Sequence, residues 1–127
     1  MKKAAENRLN LIKILNKITG MKNVLFVDDE EHNRNSFRAN FRKLYNVLTA
    51  NSVDEAEDVL ENQHVDFAII DHRMPKVKGW ELMEWIRLNH PEIPSVMISA
   101  YPEDLKGKNT EVLPKPFNIQ QIIEKIG

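Results

Sequence analysis

Residues 65–79 read VDFAIIDHRMPKVKG, and the order of chemistry in that stretch decides how the rest of the chain is read. Six mostly apolar residues, Val65 to Ile70, run straight into an acid, Asp71, with Pro75 four residues beyond it and Gly79 four further on. A short apolar run bounded by turn residues reads as a strand covered on both faces, the kind found at the centre of a parallel sheet. Ending such a strand in a carboxylate and a turn presents the carboxylate at the sheet edge. Taken alone, Asp71 is more simply a turn or cap acid. Its meaning depends on what else the chain sends to the same edge.

Outward from this strand, apolar runs alternate with helical segments, the pattern of stacked βαβ units around a parallel sheet. Toward the N-terminus, Lys22 to Val27 is expected to be a strand ending at Asp28 and Asp29. Phe37, Phe41 and Leu44 recur at helical spacing and predict a helix over about 31–44 with an inward aromatic stripe. Residues 45–50 read as a second strand. Ser52 is a natural N-cap with Glu55 three residues on, and Val53, Ala56, Val59 and Leu60 supply a buried helical face.

Toward the C-terminus, a helix is expected over 79–89, with Trp80, Leu82, Met83 and Ile86 inward and Trp85 nearer solvent. Pro91 and Pro94 close it and open a strand over 95–99. A last strand over about 110–113 leaves only Ala100 to Asn109 for the crossover, near the minimum of roughly 10–12 residues for one that includes a helix. The fourth helix is therefore expected to be short or irregular, with Pro102 in its first turn and Gly107 as its stop. Phe117, Ile119, Ile122, Ile123 and Ile126 mark a final helix over 117–126.

The 127 residues suit one core, with 42% hydrophobic and 29% charged residues and a net charge of −1. That balance does not point to nucleic acid as a directly bound partner. With no cysteine there is no disulfide framework or thiolate chemistry, and no long uncharged apolar run forms a membrane span, so a reducing, cytoplasmic setting is expected. Residues 1–20 carry Lys2, Lys3, Arg8, Lys13 and Lys17 against Glu6, a net +4 that leaves −5 for the remainder. Leu11, Leu15 and Ile18, with Ile12 beside them, share one helical face, so 1–20 is expected to be an amphipathic helix or linker and 21–127 the folded domain. A linker remnant, a dimerising or sheet-covering helix and a membrane-surface helix all remain open for it.

In an open parallel sheet the strand C-termini share one edge, where ligands bind. The residues expected there are Asp28, Asp29, Asp71, Ser99 and Lys115. Three crowded carboxylates repel one another and call for raised pKa values or a cation, and a hard ion with oxygen ligands such as Mg2+ fits. A carboxylate beside that ion can act as a nucleophile toward phosphorus while an ammonium neutralises the transferring oxygens. Asp71 is the candidate nucleophile, Lys115 the ammonium, and Ser99 a hydroxyl donor to a phosphoryl oxygen. His72 reads as a turn residue, since no second histidine has metal-site spacing to it.

FVDDE after the first strand, IIDHRMP with Gly79 around the acid, ISA at the fourth strand and LPKPF before the last helix occur in one order and spacing. In these marks the chain, from about Met21 to Gly127, resembles the receiver domain of two-component response regulators. The resemblance implies an α/β, flavodoxin-like, doubly wound five-stranded parallel sheet of order 2-1-3-4-5. It implies that Asp71 accepts a phosphoryl group from a histidine kinase or phosphotransfer protein in a phosphorelay. It further implies that Asp29 binds Mg2+ directly, Asp28 mainly through water, and the Arg73 backbone carbonyl supplies another ligand. Lys115 would pair with the acceptor, and the Lys115–Pro116 bond would be cis.

The expected role is that of a signalling module, not an enzyme, acting on an output protein the sequence does not name; a homodimer is among the assemblies it allows. The alternative is a pseudo-receiver that contacts partners without phosphorylation. A magnesium phosphatase of haloacid-dehalogenase type would need a second acid where Arg73 stands. No DNA-binding or catalytic output domain is expected, and both a stand-alone receiver and a piece of a hybrid protein stay open. The chain departs from the family at Val112, where receivers usually carry an aromatic residue that rotates on phosphorylation, and in the short stretch from Ser99 to Lys115.

Overall fold

The computed structural model describes residues 20–72 and 79–127. The expected helix over 1–20, Gly20 excepted, and the Arg73 carbonyl lie outside the described residues. The elements are β1 (Asn23–Val27), α1 (Glu31–Phe41), β2 (Asn46–Ala50), α2 (Val53–Asn62), β3 (Phe67–Asp71), α3 (Gly79–Asn89), β4 (Ser95–Ser99), a 3-10 turn (Pro102–Leu105), β5 (Val112–Pro114) and α4 (Ile119–Ile126). The strands form one parallel sheet in the order β2-β1-β3-β4-β5. This is the doubly wound flavodoxin-like arrangement, with β3 central and the order reversing at β1 and β3.

Strand alternation splits the core into two layers. Leu25, Val27, Ala68, Ile70 and Met97 face Ala56 and Leu60 of α2 and Leu82, Met83 and Ile86 of α3. Val24, Phe26, Phe67, Ile69, Val96, Ile98 and Leu113 face Phe37 and Phe41 of α1 and Ile122 and Ile126 of α4. β3 is buried along its whole length because both layers press on it. In the second layer Phe26 stacks on Phe37 with centroids 4.3 Å apart, and Phe37 meets Phe41 at 4.5 Å.

Local chemistry explains where the helices start. Ser52 Oγ accepts the Glu55 backbone N–H at 3.1 Å while Glu55 Oε1 accepts from the Asn51 N–H at 3.2 Å. At α4, Asn118 and Gln121 satisfy each other's backbone N–H groups in a full capping box. Lys22 Nζ donates to the Ile126 carbonyl at 3.1 Å, a cation at the negative end of α4.

Several boundaries differ from the sequence expectation. α1 stops at Phe41, where the Leu44 and Tyr45 N–H groups both donate to the Phe41 carbonyl, so Leu44 is 45% exposed and Tyr45 extends the aromatic row in its place. β3 begins at Phe67, two residues later than expected, and contains Asp71 itself, in register with Ile98. β5 begins at Val112, not Thr110; its register on β4 pairs Met97 with Val112 and Ser99 with Pro114. Pro114 has no N–H to give, which an edge strand tolerates. α4 begins at Ile119, leaving Phe117 outside it.

The fourth crossover is a single 3-10 turn with Pro102 at its start, and Gly107 at φ +85° reverses the chain after it. Lys108 Nζ lies 5.0 Å and the Arg87 guanidinium 5.4 Å from the Trp80 ring, tying this loop to α3. Trp80, expected inward, and Trp85, expected nearer solvent, are both half-buried, and Trp85 packs 5.4 Å from the His90 ring.

Candidate functional site

Four strand ends deliver polar groups to one edge. β3 carries Asp71 as its last residue, β4 ends at Ser99, and Asp28, Asp29 and Lys115 directly follow β1 and β5. One carboxylate oxygen from each of Asp28, Asp29 and Asp71 lies within 4.8 Å of the others. Lys115 Nζ donates to Asp71 Oδ1 at 3.3 Å. The Lys115 backbone N–H is anchored on the Ser99 carbonyl at 2.8 Å, and the Lys115–Pro116 bond is cis.

Asp28 and Asp71 are buried, whereas Asp29 reaches toward solvent. Ser99 is buried, and its Oγ accepts the Tyr101 backbone N–H at 2.9 Å. A hydroxyl that accepts one bond still has its own O–H to donate. Gly79 closes the site from below. Its N–H donates to the His72 carbonyl at 2.9 Å, and a Cβ there would collide with the Asp71 carbonyl oxygen.

Burial raises the Asp28 carboxyl above its ordinary value of 3.8; bonds from the Glu30 N–H and the Asn33 amide, and the charge of Lys115, act the other way, while Asp29 adds to the rise. The folded state therefore holds this proton more tightly than the unfolded chain. Stability from that proton is complete below 3.8 and is lost as pH rises through the raised folded value. Asparagine reproduces the neutral form. Without divalent cation, Asp28→Asn is expected to melt above wild type at neutral pH, with the gap narrowing as the pH is lowered toward 3.8; thermal melts across pH in a chelator check both the sign and the trend.

Among the described residues the donor set is all oxygen, negatively charged and mostly desolvated, with the Lys115 ammonium paired to Asp71. That matches a hard divalent ion of the Mg2+ type, which takes one or two carboxylates and keeps waters. Asp28, Asp29 and Asp71 are the residues that would hold it. Beside Asp28 and Lys115 a groove of about 530 Å3 opens between α1 and the segment after β5, floored by Phe26, Phe37, Phe41 and Ile98.

Sequence reasoning placed Asp28, Asp29, Asp71, Ser99 and Lys115 here, and the structure brings all five together. It missed Asn33, whose Nδ2 donates to Asp28 Oδ2 at 3.1 Å, and Arg34, whose Nη1 donates to the Asp28 carbonyl at 2.9 Å. The available signal was two hydrogen-bonding side chains in the first turn of the helix after the acid pair. His72 lies at the bend after β3 and is buried, 4% exposed, with Nε2 3.9 Å from Asp104 Oδ2 on the 3-10 turn. Glu30 is the N-cap of α1, and Asp28 Oδ1 accepts its N–H at 2.9 Å.

Comparison with known proteins supports a single family. The sequence profile of the response regulator receiver domain matches residues 24–127. Sensor kinase CckA of Brucella abortus is 33% identical over 114 residues, which cover 83% of this chain but only 12% of the kinase. The polar-differentiation response regulator DivK of Brucella ovis is 28% identical over 118 residues, 83% of this chain and 93% of DivK. Among solved structures, response regulator TrrA of Thermotoga maritima in complex with Mg(2+)-BeF superposes with a TM-score of 0.75 at 27% identity, covering 84% of this chain and 96% of TrrA.

Proposed function

The chain belongs to the response regulator receiver domain family, and from that premise we propose that Asp71 accepts a phosphoryl group from a histidine kinase or phosphotransfer protein in a phosphorelay. The observation that carries this reading is the convergence of one carboxylate oxygen from each of three acids within 4.8 Å of one another, with the Lys115 ammonium 3.3 Å from Asp71 Oδ1. The relative solved with Mg(2+)-BeF shares the fold and supports the same class of ligand. Arg73, whose carbonyl is proposed as a further ligand, lies outside the described residues.

In the reaction a carboxylate oxygen of Asp71 attacks phosphorus, the bond from phosphorus to the donor imidazole breaks, and the imidazole leaves with the electron pair and takes up a proton. Mg2+, when bound, supplies neutralisation of charge on the phosphoryl oxygens. Asp28 and Asp29 would hold that ion beside Asp71. Lys115, already paired with Asp71, follows the negative charge onto the phosphoryl group, and the Ser99 hydroxyl donates to one of its oxygens. The groove lined by Asp28 and Lys115 borders the site on the α1 side.

The product is a signalling state and not a turnover cycle. Val112 packs half-buried against the α2–α3 layer, and a β-branched side chain has no aromatic ring to rotate. The phosphorylated state is therefore read by an output partner through another device.

Incubating the full chain with Mg2+ and acetyl phosphate tests the reading. Intact-mass spectrometry is expected to show one added phosphoryl group, labile to hydroxylamine as an acyl phosphate, and none when EDTA is present. A folded chain that takes up no label in Mg2+ from acetyl phosphate or from a phosphorylated phosphotransfer domain would leave the phosphorylation-independent interaction module as the better reading.

A further inference from the structure

We propose that Asn33 is a positioning residue for the metal site, its side-chain amide holding the Asp28 carboxylate in the orientation a divalent cation requires. Asp28 is 1% exposed, so water does not fix its carboxylate; protein donors do. A carboxylate offers about four acceptor sites on its two oxygens. One on Oδ1 is taken by the Glu30 N–H at 2.9 Å and one on Oδ2 by Asn33 Nδ2 at 3.1 Å. Each oxygen thereby keeps a site for the ion or its bound water, and the carboxylate plane is held at both ends. Arg34 Nη1 pins the main chain of the same residue through its carbonyl.

Asn33 sits in the first turn of α1, where asparagine adds little as a helix former, so helix propensity does not account for it. Its amide is steadied from the solvent side by Glu30 Oε2 at 3.4 Å. Groups that orient a ligand without touching the metal typically change affinity by about 10- to 100-fold. Asn33 acts through Asp28 in this way. The inference rests on the proposed divalent site at Asp28, Asp29 and Asp71.

The test is Mg2+ titration of the full chain, followed by calorimetry or amide chemical shifts, at a temperature where every variant is shown to be folded. Asn33→Leu keeps the branched heavy-atom shape and favours the helix but cannot donate. It is expected to weaken Mg2+ binding by about 10-fold, with melting in chelator lowered because the buried carboxylate loses one of its donors. In an Asp28→Asn background the same change is expected to have little further effect, because its target is gone. Affinity within about twofold of wild type for Asn33→Leu, or equal weakening in both backgrounds, overturns the role of Asn33 while leaving the site itself intact. A wild-type chain that binds no Mg2+ overturns the site and this inference together.

Discussion

Replacing Asp71 by asparagine is expected to abolish phosphoryl uptake without unfolding the chain. The carboxylate supplies the attacking oxygen, and a neutral amide at neutral pH is a poor nucleophile, so labelling by acetyl phosphate and Mg2+ falls below detection. Mg2+ affinity falls as well, by at least about 10-fold, since even groups that only support a ligand cost that much. Stability moves the other way. Asp71 is buried with two acids close by, and removing one of three repelling charges relieves the folded state in the absence of metal. The asparagine oxygen still accepts from Lys115. Thermal melts in chelator should therefore place Asp71→Asn at or above wild type, separating lost chemistry from lost fold. Normal labelling of the Asp71→Asn chain would move the acceptor to another residue.

Gly79→Ala is expected to cause the largest loss of stability per atom added. An ideal Cβ at this position would overlap the Asp71 carbonyl oxygen and lie 2.8 Å from Met97 Cε and 2.9 Å from Ile70 Cγ2. The methionine end can swing away. The carbonyl cannot, because it belongs to the central strand of the sheet and the Gly79 N–H is bonded to the next carbonyl along, that of His72. Over-packing of this kind costs about 1–3 kcal/mol, and the helix propensity gained by alanine offsets little at the first residue of α3. For a chain of this size that lowers the melting temperature by roughly 5–10 °C. A shift of Asp71 by about 1 Å would also slow phosphoryl uptake by about 100-fold, the sensitivity expected of an oriented reaction. Melting and labelling rates measured together check this; an unchanged melt would mean that α3 moves off the strand without cost.

The legible part of this molecule was its local pattern. Ser52 with Glu55, the helix over 79–89 and the strand over 95–99 were readable because caps and periodicity are properties of neighbouring residues. The shortness of the fourth crossover followed from counting residues. Boundaries were less readable where a distant partner sets them. Leu44 continues the helical spacing of Phe37 and Phe41, yet the chain turns at Arg42 so that Asn46 can donate to the Lys22 carbonyl and begin β2. β5 starts at Val112 because its register is chosen by β4, a neighbour in space and not in sequence.

The sequence by itself determined the parallel sheet, the carboxylates and lysine at its strand ends and hence the family resemblance, because alternation of apolar runs and the residue that ends each run are written locally. Only the tertiary structure decided that Asn33 holds Asp28, that His72 is buried toward Asp104, and that Gly79 must lack a side chain to lie against Asp71. Each of these is a contact set by how a strand end, the turn after it and a helix pack together, and the spacing of the residues along the chain does not fix that packing.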